Sequence, residues 1–141
     1  MRITFIVTFV ALGLTACASR QHRDATGRLE LNPNQLEHTK DAPYFCFSFA
    51  GNGQERHECS VSEASCQQRT TARTEEKFQM TGACRPGDAV FCFAWAEGEM
   101  THSQCYETEP DCTEVSAEIA AKVSKENVSA CQHFDRTHQS F

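Results

Sequence analysis

Eight cysteines, Cys46, Cys59, Cys66, Cys84, Cys92, Cys105, Cys112 and Cys131, are the residues of this 141-residue chain with the widest chemistry open to them. As thiolates they could hold zinc together with His57 and His102, which precede Cys59 and Cys105 by two and three residues. Zinc sites draw their cysteines in closely spaced C-x₂₋₄-C pairs, and no such pair occurs. The histidines also fall out of step, since the residue 46 positions after His57 is Ser103. Nucleophilic catalysis has no better footing, with neither a G-x-S-x-G elbow nor a glycine-rich phosphate loop. The acidic series Glu97, Glu99, Glu107, Glu109, Asp111, Glu114 and Glu118 could supply a glycosidase pair. Runs of this kind are more often solvated faces or charges at a helix start. The expectation is a protein with no catalytic residues, no cofactor and no metal, whose cysteines are disulfides.

The cysteine positions carry more information than their number. From Cys46 the steps are 13, 7 and 18; from Cys92 they are 13, 7 and 19. The agreement extends to the residues between, because YFCFSFAGNGQERHECSVSEASC at 44–66 lies over VFCFAWAEGEMTHSQCYETEPDC at 90–112 with a constant offset of 46. TGAC at 81–84 lies over VSAC at 128–131 after one inserted residue. The pattern is that of an internally duplicated four-cysteine unit.

Each unit reads as a hairpin followed by a helix. Asn52-Gly53 suits a two-residue type I′ turn, which would set Cys46 opposite Cys59; Gly98-Glu99 suits a type II′ turn, which would set Cys92 opposite Cys105. Ser62 and Thr108 occupy equivalent positions and have the chemistry of N-caps, with Asp111 completing a capping box and Pro110 fitting a first turn. The second helix has an apolar stripe of Val115, Ile119 and Val123. The first, from about Glu63 to Gln79, has only Ala64, Ala72 and Phe78 among polar residues and must depend on tertiary or covalent contacts.

What precedes the repeat says where such a domain would live. Arg2 is followed by an apolar run from Ile3 to Leu14 interrupted only by Thr4, Thr8 and Gly13. That is a signal-peptide core, shorter than the ~20 residues a membrane-spanning helix needs. The run closes on Leu14-Thr15-Ala16-Cys17, which resembles the lipobox of bacterial lipoproteins. The resemblance implies cleavage before Cys17 and acylation of that cysteine; the Ala18 that follows, in place of an Asp, implies sorting to the outer membrane. Several acyl chains, at ~0.8 kcal/mol per buried CH₂, make a stable anchor where one would be marginal. Loss of Arg2 with the signal takes the formal charge from −6 to −7, a balance that argues against nucleic acid as a partner. The organisation expected is a signal peptide at 1–16, a lipidated cysteine and polar tether at 17–41, repeats at 42–84 and 85–131, and a fraying tail at 132–141.

Export to an oxidising compartment makes four disulfides the default. The repeat suggests pairing within each set of four. If a ~17-residue helix separates Cys66 from Cys84, five residues of return chain reach only about 17 Å against more than ~20 Å of helix. On that reasoning Cys66 pairs with Cys46 or Cys59, Cys84 with the one remaining, and Cys112 and Cys131 follow suit. With no Leu after the tether and one Ile, Ile119, the bridges at about 2–4 kcal/mol each would carry much of the net stability.

The registers also place Phe45, Phe47, Phe49, Phe91, Phe93 and Trp95 on the face opposite the paired cysteines. These six are either the core, sheltered by helices or by the other unit, or a partly exposed strip that binds a partner, sugar or peptide. The fold expected is α+β, a small disulfide-rich domain of two duplicated ββα units whose hairpins join in one sheet or pack face to face. Three function classes fit: a non-enzymatic envelope lipoprotein acting as a protein-interaction module, in a surface or motility assembly; a periplasmic inhibitor of a cationic hydrolase such as a lysozyme, steered by the acidic charge; and a small-ligand or glycan binder using the aromatic strip.

Overall fold

The computed structural model describes residues 21–31 and 44–135; the signal segment, Cys17 and the last six residues lie outside that range. The chain forms six strands, of which the first and fourth alternate aromatic with small or polar residues: β1 (Tyr44–Gly51), β2 (Gln54–Ser60), β3 (Gln79–Gly87), β4 (Ala89–Glu97), β5 (Met100–Tyr106) and β6 (Gln132–Asp135). Helix α1 (Glu63–Glu75) follows β2 and α2 (Glu109–Ala120) follows β5. The class is mixed α+β, dominated by one antiparallel sheet of order β3-β1-β2-β5-β4-β6. The two hairpins therefore join edge to edge through β2 and β5.

Turn chemistry sets both hairpin registers. Asn52 and Gly53 both have positive φ, at 53° and 80°, as a type I′ turn requires, and Gly98 supplies the positive φ, 62°, that opens a type II′ turn. Cys46 accordingly faces Cys59, and Cys92 faces Cys105. Ser62 accepts from the Ser65 backbone N–H and Thr108 from that of Asp111, so both helices start at their predicted caps.

The disulfides depart from expectation. They are Cys46–Cys59, Cys66–Cys84, Cys92–Cys105 and Cys112–Cys131. The preferred scheme fails because α1 ends at Glu75, four residues before its predicted end. Lys77 takes φ 70° there, with Phe78 N–H donating to the Arg73 carbonyl and Lys77 N–H to that of Thr74. This is a Schellman closure whose left-handed position holds lysine rather than the usual glycine. The helix carries the chain only about 15 Å beyond Cys66. The eight residues after Glu76, through Cys84, reach about 26 Å if extended and return easily as β3, and Cys84 arrives with its Cα 6.1 Å from that of Cys66.

Two further expectations are corrected. A strand follows each helix, so each half runs strand, strand, helix, strand; β6 lies inside the segment predicted to fray and pairs with β4 from Ala89–Asp135 to Cys92–Gln132. Residues 21–31, assigned to the polar tether, pack against the domain. Leu29 and Leu31 are buried in the cluster that contains Cys46, Cys59, Cys92 and Cys105. Their loop is closed by Asp24, whose Oδ1 accepts from the backbone N–H groups of Thr26 and Arg28. It is pinned by Leu29 N–H on the Glu126 carbonyl, at 2.7 Å, and by Arg28 Nε on the Val128 carbonyl, at 2.9 Å.

Truncating Leu29 to Ala should therefore cost about 2–5 kcal/mol in equilibrium urea unfolding, as for a core residue. A mere tether position would show no change.

Candidate functional site

The six aromatics lie on the helix-bearing face, and the helices cover them. Phe47, Phe49 and Cys66 form a cluster that Phe45, Phe78, Met80 and Cys84 complete. Phe93 packs with Tyr106, Cys112 and Val115 of the other half, with Phe91 and Trp95 at its margin. Phe47, Phe49 and Phe93 are buried, and Phe45, Phe91 and Trp95 are half-buried. Of the two readings the sequence left, core describes Phe47, Phe49 and Phe93, while Phe45, Phe91 and Trp95 keep part of their surface at the margins of the clusters.

Between the two aromatic clusters the same face turns polar. Register places Glu58 beside Phe47, Arg56 beside Phe49 and Ser60 beside Phe45. It likewise places Gln104 beside Phe93, His102 beside Trp95 and Tyr106 beside Phe91. The two central strands therefore carry a polar seam along the middle of the sheet, and its most buried member is Glu58, with no exposed surface. Arg69 and Arg73, one turn apart on α1, both close on that carboxylate. Arg69 Nε bonds Oε1, while Arg73 Nε and Nη2 donate to Oε2 at 3.0 and 2.9 Å. The Arg73 guanidinium also lies 5.2 Å from the Phe49 ring centroid and gives Nη1 to Glu76 at 2.7 Å. Burial opposes its charge, but the carboxylates of Glu58 and Glu76 more than offset this and hold its pKa above the ordinary value. A carboxylate taken out of water is tolerated only with such paired donors.

At one end of the seam α2 completes the junction. The Glu107 N–H donates to the His57 carbonyl at 2.9 Å, and the His57 N–H donates to Asp111 Oδ2 at 2.9 Å. The carboxylate predicted to close a capping box is thus used on the neighbouring strand, with His57 Nδ1 3.1 Å from the same oxygen. Arg56 reaches Glu118 at 2.5 Å and Glu114 at 3.5 Å on the same helix. At the other end Ser60 Oγ, His102 Nε2 and Gln104 Nε2 are buried without a hydrogen-bond partner among the described residues. The His102 ring stacks on Trp95 at 5.1 Å. A recess of about 270 Å³ opens beside the seam where Phe49, Phe78, Arg56 and Glu118 meet the first hairpin turn. Its Phe78 wall exists because Gly51 has no Cβ, which would collide with that ring.

Where the predicted site residues fall is now plain. Each of the eight repeat cysteines is in a bridge, so none is a thiolate for a metal; His57 is engaged by Asp111 and His102 by Trp95. Cys17 lies outside the described residues. Sequence reasoning missed Glu58, Arg69, Arg73 and Tyr106, although the signal for Glu58 was present. Once Cys46 faces Cys59, residue 58 must oppose Phe47, which puts an acid on the aromatic face. Among the described residues no helix is long and apolar enough to cross a membrane. Comparison with protein-family models, with curated proteins and with solved structures returns no match for this chain.

Two predictions test the seam. Glu58→Ala should cost about 1.5–3 kcal/mol by removing the buried acceptor of charge-assisted bonds from Arg69 and Arg73, whereas Glu76→Ala, removing an exposed partner, should cost less than about 1 kcal/mol; chemical denaturation of the two variants measures both. The chain's two tyrosines supply the second. Burial pushes Tyr44 up to about 12, and burial followed by the nearby Glu58 charge raises Tyr106 as well. A raised folded-state pKa on a group that is neutral when protonated stabilises fully below the unfolded value, near 10, and is lost as pH rises through the folded one. Absorbance titration should show the native protein free of tyrosinate at a pH where the denatured chain is half ionised, and unfolding above about pH 10 as that stabilisation is lost.

Proposed function

We propose that this chain is a lipid-anchored protein of the bacterial cell envelope, tethered to the outer membrane through Cys17, whose disulfide-braced domain is a non-enzymatic protein-interaction module. One observation carries the reading. Of nine cysteines, eight pair into four bridges, and the cysteine left over is Cys17, at the end of Leu14-Thr15-Ala16-Cys17. Four bridges in a small domain belong to an oxidising compartment, and a ninth cysteine closing an apolar leader is what a lipobox requires.

We read the two halves as a duplicated unit. Support comes from the constant offset of 46 between cysteine positions and from a sheet order that reads the same from both edges when β1, β2 and β3 are matched with β4, β5 and β6. The ladder Cys59–Cys105 joins equivalent residues, so the relating axis passes through it. A duplicated, cross-braced sheet makes a rigid platform with its aromatics inside, and what it offers outward is polar and acidic. The partner that suits it is a basic envelope protein. Inhibition of a cationic hydrolase rests on the same charge, and dependence on the anchor separates the two.

Metabolic labelling with palmitate, followed by membrane fractionation, is the first test. The wild-type protein should incorporate label and sediment with outer membranes, and Cys17→Ala should lose both properties. Membrane retention of the unlabelled variant would overturn the anchor. A partner cross-linked to the wild type and lost with Cys17→Ala would support an envelope module, while a soluble basic hydrolase captured equally by both forms would overturn it in favour of an inhibitor.

A further inference from the structure

Four cysteines stand in one line across the sheet. Cys46 faces Cys59 between β1 and β2, Cys59 faces Cys105 between β2 and β5, and Cys105 faces Cys92 between β5 and β4. Directly opposed residues project to the same side of a sheet, so all four sulfurs share the face away from the helices. Bridges occupy the two outer contacts, with Cα–Cα distances of 4.0 and 4.1 Å. The middle contact is directly opposed as well, but as the wider, hydrogen-bonded kind of pair that alternates with the close kind across an antiparallel ladder, and it has no bridge. Access is graded too, since Cys46 and Cys92 are fully buried while Cys59 and Cys105 keep 4% and 5% of their surface.

Thiol–disulfide exchange needs a thiolate placed against one sulfur of a disulfide, with the other sulfur as leaving group. Strands about 4.8 Å apart arrange Cys59, Cys105 and Cys92 in that order. We infer that the row is a thiol–disulfide exchange site for a dithiol reductant, in which the surviving bridge moves from within the hairpins to between the halves.

The steps balance. A thiolate of the reductant attacks Cys59 Sγ, the bond to Cys46 breaks, and Cys46 leaves as a thiolate that takes a proton. The reductant's second thiol closes its own disulfide and releases the Cys59 thiolate. Cys59 then attacks Cys105 Sγ, the Cys105–Cys92 bond breaks, and Cys92 leaves and is protonated. One cystine has been reduced by two electrons, the dithiol has been oxidised to a disulfide, and the row holds Cys59–Cys105 between thiols at Cys46 and Cys92. Entry at Cys105 gives the same product by the mirror route. Cys66–Cys84 and Cys112–Cys131 stand apart, each tying a helix start to the chain that returns from it.

The test treats the full-length protein, under native conditions, with a single molar equivalent of dithiothreitol, followed by N-ethylmaleimide and peptide mapping without reduction. Most of the two-label product should be alkylated at Cys46 and Cys92 and contain a Cys59–Cys105 cross-linked peptide. Labels paired on Cys46 with Cys59, on Cys92 with Cys105, or on any of the other four cysteines would overturn the relay. The double variant Cys46→Ser, Cys92→Ser gives an independent reading. Folded and air-oxidised, it should contain Cys59–Cys105, and two free thiols in a folded variant would overturn the inference; if it does not fold, the labelling of the wild type decides.

Discussion

The two halves of the sheet meet through a ladder of two residue pairs, Glu58 with Tyr106 and Cys59 with Cys105, and much of what differs between the halves compensates for its shortness. A ladder that short leaves the backbone groups of His57 facing no strand. The start of α2 supplies their partners through Glu107 and Asp111, so a helix of the second half extends the pairing of a strand in the first. Arg56 adds charge-assisted bonds to Glu114 and Glu118 from the same helix. On the helix-bearing face Glu58 does for α1 what Asp111 does for α2, drawing Arg69 and Arg73 onto the junction. None of these side chains has its counterpart 46 residues away: Gln104 stands where Glu58 would, and His102 where Arg56 would. Two similar units become one domain through the residues in which they differ.

Local chemistry was legible in the sequence wherever one residue type has one conformational use. Asn52-Gly53 and Gly98 demanded positive φ, and register followed from turn length; Ser62 and Thr108 had the oxygens to cap a helix. The end of α1 was not legible because its left-handed closing residue is Lys77, and no residue-level rule marks a lysine for that role. Missing it lengthened the helix on paper, stretched the distance from Cys66 to Cys84, and led to the wrong bridge. One helix terminus thus decided the disulfide map. Leu29 and Leu31 were passed over for a different reason, since they lie in a polar stretch without the periodicity that announces burial; only the shape of the cystine face gives them somewhere to go. The β2–β5 junction belongs to the same class, because edge-to-edge pairing of two hairpins has no turn to declare it.

Burial of the aromatic strip redirects the functional argument. Six large rings at period two, in a chain poor in leucine and isoleucine, could have been a binding surface, yet the same poverty draws them into the core on the helix-bearing face. Phe47 and Phe49 stack at 5.6 Å, and Phe78 meets Phe49 edge-on at 5.3 Å, geometries worth more than their area alone. Phe47, Phe49 and Phe93 are committed inward, and the carboxylates of Glu114 and Glu118 on α2, paired with Arg56, show that part of the acidic character holds the halves together. The charge left for a partner is smaller than the formal count suggests.

The four bridges do two different kinds of work, and position rather than loop length separates them. Loops of 13 residues in one kind and of 18 and 19 in the other differ little in closure entropy, since doubling a loop changes that cost by only about 0.6 kcal/mol. The hairpin bridges link residues that a turn and a strand ladder already hold face to face, so in the folded state they add little to the positioning the hairpin imposes. Cys66–Cys84 and Cys112–Cys131 instead tie each helix start to the strand or segment that comes back from it, and α1 has little apolar surface of its own to hold it down. A domain built this way can tolerate a change among the first pair of bridges while the second pair keeps both helices over their aromatic clusters. The placement of a cysteine row on the face away from those helices, over the short central ladder, means that rewiring it would alter how firmly the halves are joined without touching either aromatic core.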